Sequence, residues 1–291
     1  MSEEKERIAL VTGASSGIGF AVTQKLASKG FKVYACARRT LEIEPLVRLY
    51  PNKVIATKID ISNEEEILEL RERLSEELPD QKLDVLYNNA GQSCTFPALD
   101  VTDAAMKQCF DVNVFGHVNM CRELSKFLIR AKGTIVFTGS IAGIITFPFG
   151  SIYSASKAAI HQYARGLHLE LKPFNVRVIN AITGGVNTNI ADTRPLPSGS
   201  IFNFEEGIEA FQNRQLMAKR NNPMSADEYA ELLVKDILSS KDPVDVYRGT
   251  FARFMSYVQY FVPYWLLEYA LIKKFKLGKV FTALSSKSKR E

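Results

Sequence analysis

Residues 8–19 read IALVTGASSGIG. The apolar run at 8–11 predicts a buried strand, and the glycines Gly13, Gly17 and Gly19 follow it at once. A helix is then expected to about residue 30. A glycine turn between a strand and a helix lets the backbone approach a pyrophosphate, which the helix N-terminus attracts. The spacing is G-x-x-x-G-x-G rather than G-x-G-x-x-G, and alone it would say little. Its place, directly between a strand and a helix, makes it the opening of an α/β chain.

A second stretch supplies reactive groups. Residues 135–157 read IVFTGSIAGIITFPFGSIYSASK. The β-branched run at 134–137 predicts a buried parallel strand, and Ser140 lies just past its end. Tyr153 and Lys157 are four apart on an expected helix, so they share one face. A hydroxyl, a phenol and an ammonium thus converge at the carboxyl end of a strand, where open α/β sheets bind ligands. A free phenol titrates near ~10. A neighbouring cation favours the phenolate. Bringing the value near 7 takes roughly three units, about 4 kcal/mol. The expectation is that Lys157 lowers the Tyr153 pKa, so that the phenol exchanges a proton with a carbonyl or hydroxyl. Ser140 would hydrogen-bond the same oxygen.

TGASSGIG (12–19), NNAG (88–91), Asn113, Ser140 and YSASK (153–157) occur together in the order and spacing of the short-chain dehydrogenase/reductase family, which this chain resembles from residue 8 to about 249. The resemblance implies a Rossmann-type doubly wound fold, with a seven-stranded parallel sheet and helices on both faces. It implies a catalytic tetrad of Ser140, Tyr153, Lys157 and Asn113, the Asn steadying a water that links the Lys to solvent. It places the cofactor against Gly13, Ser15, Ser16, Gly17, Ile18 and Gly19, with Asp60 at the adenine. Asn89, Ala90 and Gly91 would form the floor, Tyr153 and Lys157 would line the nicotinamide ribose, and Val186 and Thr188 would meet the carboxamide. The family's P-G-x-V-x-T has Thr183 in place of Pro here, which softens that turn. The resemblance also implies a homodimer packed through residues 102–130.

The end of the second strand, CARR (36–39), carries no carboxylate before Glu42. An acid there would hold a ribose 2′-hydroxyl, whereas Arg38 and Arg39 match a phosphate. The cofactor expected is NADP(H).

A catalytic domain of residues 1–250 is expected. Residues 1–7, MSEEKER, read as a charged, frayed start with no signal-peptide pattern. The lid, about 189–223, mixes Arg194, Arg214, Lys219 and Arg220 with Ile201, Phe202, Phe204 and Phe211. An apolar lid with cations suits an amphipathic substrate with an anionic head.

Residues 251–291 form a hydrophobic-then-basic tail, FMSYVQYFVPYWLLEYALI followed by a Lys-rich end. Pro263 and Glu268 argue for a broken helix lying in a membrane interface rather than a span. An aromatic helix packed on the catalytic domain, or a dimer contact, is the other option. The tail holds eight Lys or Arg against two acids. The overall charge of +5 is therefore the tail's, which suits lipid phosphates and gives no nucleic-acid-binding face. The four cysteines lack C-x-x-C spacing and read as reduced, buried thiols. His161 and His168 read as structural, and no metal is expected. The cytosolic face of an intracellular membrane follows as the expected location: endoplasmic reticulum, lipid droplet or mitochondrial outer membrane.

Long runs such as YACARR (34–39), FTGSIAG (137–143), DPVDVYRGTFA (242–252) and FVPYWLLE (261–268) narrow the resemblance. They are similar to the branch of the family that reduces the ketone of an acylated dihydroxyacetone phosphate. This implies a lipid-phosphate substrate and a role in phospholipid synthesis. A 17β-hydroxysteroid or retinoid dehydrogenase is the alternative within the class. A different class is also spelled out. Gly13-Ala-Ser-Ser-Gly17 is a G-x-S-x-G, the nucleophile-elbow pattern of lipases, with Ser15 as nucleophile of an acylglycerol lipase. That reading requires a base and an orienting acid near Ser15.

Overall fold

Seven strands pair in parallel in the computed structural model, which describes residues 6–288. They are β1 (Ile8–Thr12), β2 (Lys32–Ala37), β3 (Val54–Lys58), β4 (Val85–Asn88), β5 (Thr134–Thr138), β6 (Arg177–Thr183) and β7 (Asp245–Arg248), in the order 3-2-1-4-5-6-7. Residues 1–5 of the charged start and 289–291 of the basic end lie outside the described residues. The strands read as near-continuous apolar runs because both sheet faces are covered. Along β1 the pleat sends Ala9 and Val11 to one core and Ile8 and Leu10 to the other.

The helices divide accordingly. The first core is closed by α1 (Gly17–Ser28), α2 (Glu44–Leu49) and, from later in the chain, α9 (Ala226–Leu238), through Val22, Leu26, Leu46, Tyr229 and Leu233. The second is closed by α3 (Glu64–Glu77), α5 (Gly116–Ala131) and α6 (Ser151–Leu171), through Ile67, Leu74, Leu124 and Ile160. Asn63 caps α3, its side chain accepting from the Glu65 amide at 3.0 Å. Between α4 (Asp103–Phe110) and α5, residues Asp111–Phe115 form one π-helical turn. The lid contributes α7 (Glu205–Gln215) and the short α8 (Met217–Arg220), separated at Leu216.

The strand order reverses at β1, since the chain runs outward to β2 and β3 and then returns to place β4 on the other side of β1. This leaves a crevice at the carboxyl ends of β1 and β4.

The tail forms α10 (Ala252–Phe261), α11 (Tyr264–Lys274) and α12 (Leu277–Ser288), and the break falls at Pro263 as the sequence suggests. Among the described residues no helix is long and apolar enough to cross a membrane. The tail packs on the catalytic domain. Phe275 is 1% exposed among Ala142, Ile145 and Phe147, and Val280 is buried against Phe149, Ala210 and Phe211. Its other face leaves Phe254, Tyr257, Tyr260, Phe261, Tyr264, Trp265 and Tyr269 exposed.

Candidate active site

A cleft of about 650 Å³ opens at the switch point. Every expected cofactor position except Gly19 lines it, as do Ser140, Tyr153 and Lys157. Gly19 lies one layer below. A Cβ there would fall 2.2 Å from the Gly13 carbonyl oxygen, so only glycine lets the helix start this close to the turn. Gly13 and Gly17 have φ of +66° and +54°, in the left-handed region that glycine adopts at little cost.

Thr12 and Asn89 hold this turn, and only the second was among the expected residues. The Thr12 hydroxyl accepts from the Asn89 and Ala90 amides at 2.9 and 3.0 Å. The Asn89 side-chain amide donates to the Thr12 carbonyl at 2.9 Å, and its oxygen accepts from the Thr138 hydroxyl at 3.1 Å. Asn89 thus ties together the ends of β1, β4 and β5, and its side chain is spent on that.

The adenosine end suits a 2′-phosphate. β2 ends at Ala37, which is small and buried, so no carboxylate occupies the strand's last position. The Arg38 and Arg39 side chains are 65% and 80% exposed; Arg38 approaches Asp60 only to 4.0 Å, while Arg39 pairs with Glu42 at 3.1 Å, an exposed contact that a phosphate can displace. Asp60 itself accepts from the Ser62 amide and hydroxyl. Two guanidiniums beside a glycine turn that a Cβ would block are the donor set an NADP(H) diphosphate and 2′-phosphate require.

On the reacting side, Lys157 is 2% exposed and donates to the Thr138 carbonyl at 2.8 Å. Burial pulls its pKa down to about 8. Its ammonium lies 5.8 Å from the Tyr153 ring centroid. The expected depression of the Tyr153 pKa by Lys157 is not what the protein alone produces. Burial of the phenol pushes its pKa up, and what pulls against burial is a hydrogen bond with Ser140 and the charge of Arg214. A phenol kept protonated at neutral pH is placed to donate.

Ser140 is aimed by its neighbours. Its hydroxyl accepts from the Ala142 amide at 3.1 Å, and its own amide donates to Nε2 of His161 at 3.0 Å. His161 sits one turn past Lys157 on α6, and burial pulls its pKa down to about 4, so it stays a neutral acceptor. Cβ atoms at Gly139 and Gly143 would meet its ring at 2.6 Å. The sequence reading set His161 aside as structural. It is so, but what it holds is the Ser140 loop, and the clue was its i+4 spacing from Lys157.

Asn113 is fully buried in the π-helical turn, a distortion that recurs at functional sites. Its oxygen accepts from the Gln92 amide at 2.8 Å. Its nitrogen donates to the Gln92 carbonyl at 2.9 Å and to the Ser156 hydroxyl at 3.0 Å. Asn113 therefore clamps the chain beyond Gly91 onto α6 between Tyr153 and Lys157. Its protein contacts do not include the Lys157 ammonium.

Among the described residues, no hydrogen bond joins Ser15 to a histidine that could serve the elbow reading as base. The chain has three histidines. His117 donates to the Ala90 carbonyl, His161 accepts from Ser140, and His168 donates to the Val178 carbonyl.

The chain matches the short chain dehydrogenase family over residues 7–196. It is 68% identical to a protein of Saccharomyces cerevisiae named NADPH-dependent 1-acyldihydroxyacetone phosphate reductase, over all of this chain and 98% of that one. Among solved structures it is similar to a short-chain dehydrogenase of Streptomyces avermitilis, with TM-score 0.75 and 25% identity, covering 97% of this chain and 99% of that one. It is also similar to a short chain dehydrogenase of Burkholderia cenocepacia in complex with NADP, with TM-score 0.68 and 26% identity, covering 88% and 94%.

Proposed function

The chain belongs to the short-chain dehydrogenase family, and from that membership we propose that it is the NADPH-dependent reductase that converts the ketone of 1-acyldihydroxyacetone phosphate to 1-acylglycerol 3-phosphate. The observation that carries this is the 68% identity over the whole length, because it includes the lid and tail that shape the substrate side. NADPH, when bound, supplies the hydride. The protein's own groups do the rest. Ser140 and Tyr153 hydrogen-bond the ketone oxygen, and Tyr153 gives it the proton. Lys157, held by the Thr138 carbonyl, places a cation beside that phenol. Ile141, Phe147, Met217 and Met255 line the same cleft and offer the acyl chain an apolar wall.

NADPH oxidation by purified protein in detergent tests the reading. Turnover is expected with 1-palmitoyl-dihydroxyacetone phosphate and not with estrone. Turnover of estrone alone would move the protein to steroid chemistry while keeping the mechanism.

The enzyme works on the cytosolic face of an intracellular membrane, the endoplasmic reticulum or a lipid droplet. What supports this is the row of exposed rings on α10 and α11, next to the cleft's apolar wall and followed by Lys273, Lys274, Lys276 and Lys279. Amphipathic aromatic rings with flanking Lys favour the headgroup region. Flotation with vesicles of phosphatidylcholine and an anionic phospholipid should recover the wild-type protein in the light fraction. Trp265→Ser with Tyr264→Ser should leave most of it behind, and equal flotation of both would remove this part of the reading.

A further inference from the structure

The lid carries four cations, and their surroundings differ. Arg194 is neutralised by Asp192, with Nη2 at 2.7 Å from a carboxylate oxygen. Arg220 donates to the Asn213 side chain at 2.7 Å and is exposed, and Lys219 is exposed. Arg214, at the end of α7, is half-buried and lines the cleft. Its guanidinium lies 5.5 Å from the Phe147 ring centroid, and Gly150 leaves room for it, since a Cβ there would stand 3.1 Å from Nη2. Its Nε is buried with no hydrogen-bond partner. Among the described residues, no carboxylate pairs with it. A cation half-removed from water with a free donor is costly unless something anionic completes it.

Its position narrows what that anion is. Arg214 is close enough to Tyr153 for its charge to act on the phenol, so an anion it grips belongs to the substrate near the reacting carbon. The ribose phosphate end of the cleft is at Arg38 and Arg39, off the tip of β2. In an acylated dihydroxyacetone phosphate the phosphate is on the carbon next to the ketone, a few ångströms from the oxygen that Tyr153 protonates.

We propose that Arg214 is the seat of the substrate phosphate, its fork of donors gripping the phosphoryl oxygens while Tyr153 and Ser140 hold the ketone. Lys274, which α11 brings to the rim of the same cleft, adds a second, solvated cation. The tail thereby supplies charge to the substrate as well as an apolar wall. The assignment rests on the reading of the substrate given above.

The test compares 1-palmitoyl-dihydroxyacetone phosphate with unphosphorylated 1-palmitoyl-dihydroxyacetone. The ratio of their kcat/KM values should fall about 100-fold in Arg214→Gln, the loss of a charge-assisted pair of hydrogen bonds. Arg214→Lys should recover part of it, because an ammonium keeps the charge without the fork. An unchanged ratio, or equal loss on both substrates, would overturn the assignment, and equal loss would make Arg214 a partner of Tyr153 instead. Calorimetric binding of 1-palmitoylglycerol 3-phosphate and of 1-palmitoylglycerol supplies an arm without turnover. If wild type reduces neither ketone, the reading of the substrate fails. The phosphate seat then stands or falls on whether Arg214→Gln abolishes the preference for the phosphorylated lipid.

Discussion

Tyr153→Phe should lower kcat for ketone reduction by about 10³-fold, within the range that positioned proton donors contribute. The substitution removes one oxygen and keeps the ring. The ring is what packs beside Ala142, Ile145 and Phe147, and what Lys157 faces at 5.8 Å. Folding and cofactor affinity should therefore persist while the proton donor is gone. The hydride acceptor becomes an alkoxide as it forms, and without the phenol only Ser140 and water remain to meet that charge. Ser140→Ala should cost less, about 10²-fold, because it removes one of two donors to the same oxygen. Single-turnover oxidation of NADPH at saturating substrate separates chemistry from product release. A Tyr153→Phe enzyme that turns over at the wild-type rate would mean that another group protonates the ketone.

The reacting trio was legible because its chemistry follows from spacing. Tyr153 and Lys157 share a helix face by the i+4 rule, and Ser140 follows a β-branched strand that could only be central. The sheet was legible for the same reason, since apolar runs such as residues 134–137 have no polar face to give to water. What stayed hidden depends on contacts between distant residues. Nothing in NNAG says that the Asn89 side chain is spent on Thr12 and Thr138. Nor does the sequence reveal that Arg214 bears on Tyr153 alongside Lys157. The Lys157 ammonium donates to the Thr138 carbonyl, and Arg214 is sixty-one residues from Tyr153 in the sequence.

The tail was ambiguous for a physical reason. Its rings are spaced so that both helix faces are apolar, and hydropathy cannot tell a face that meets lipid from one that meets protein. Phe275→Ala separates them. Phe275 is 1% exposed and closes a cluster with Ala142, Ile145 and Phe147 from the loop that begins at Ser140, and with Met255, Leu267 and Leu271 from the tail. Its loss should cost about 3–5 kcal/mol, the transfer of the ring plus the cavity left behind. For a chain of this size that lowers Tm by on the order of 10 °C. Because the cavity opens under the loop that carries Ser140, kcat/KM should fall as well, in detergent and below the new Tm, where no membrane is involved. Phe281→Ser on α12, at 48% exposure, should leave Tm nearly unchanged, as surface substitutions do. Both variants keep the length, charge and basic end of the tail, so membrane recruitment alone predicts no difference between them in micelles. A Phe275→Ala enzyme with unaltered Tm and kcat/KM would mean that the tail is a detachable anchor. The expected loss would make it the far wall of the active site, through which the exposed aromatic surface and the reacting carbon are parts of one packed structure.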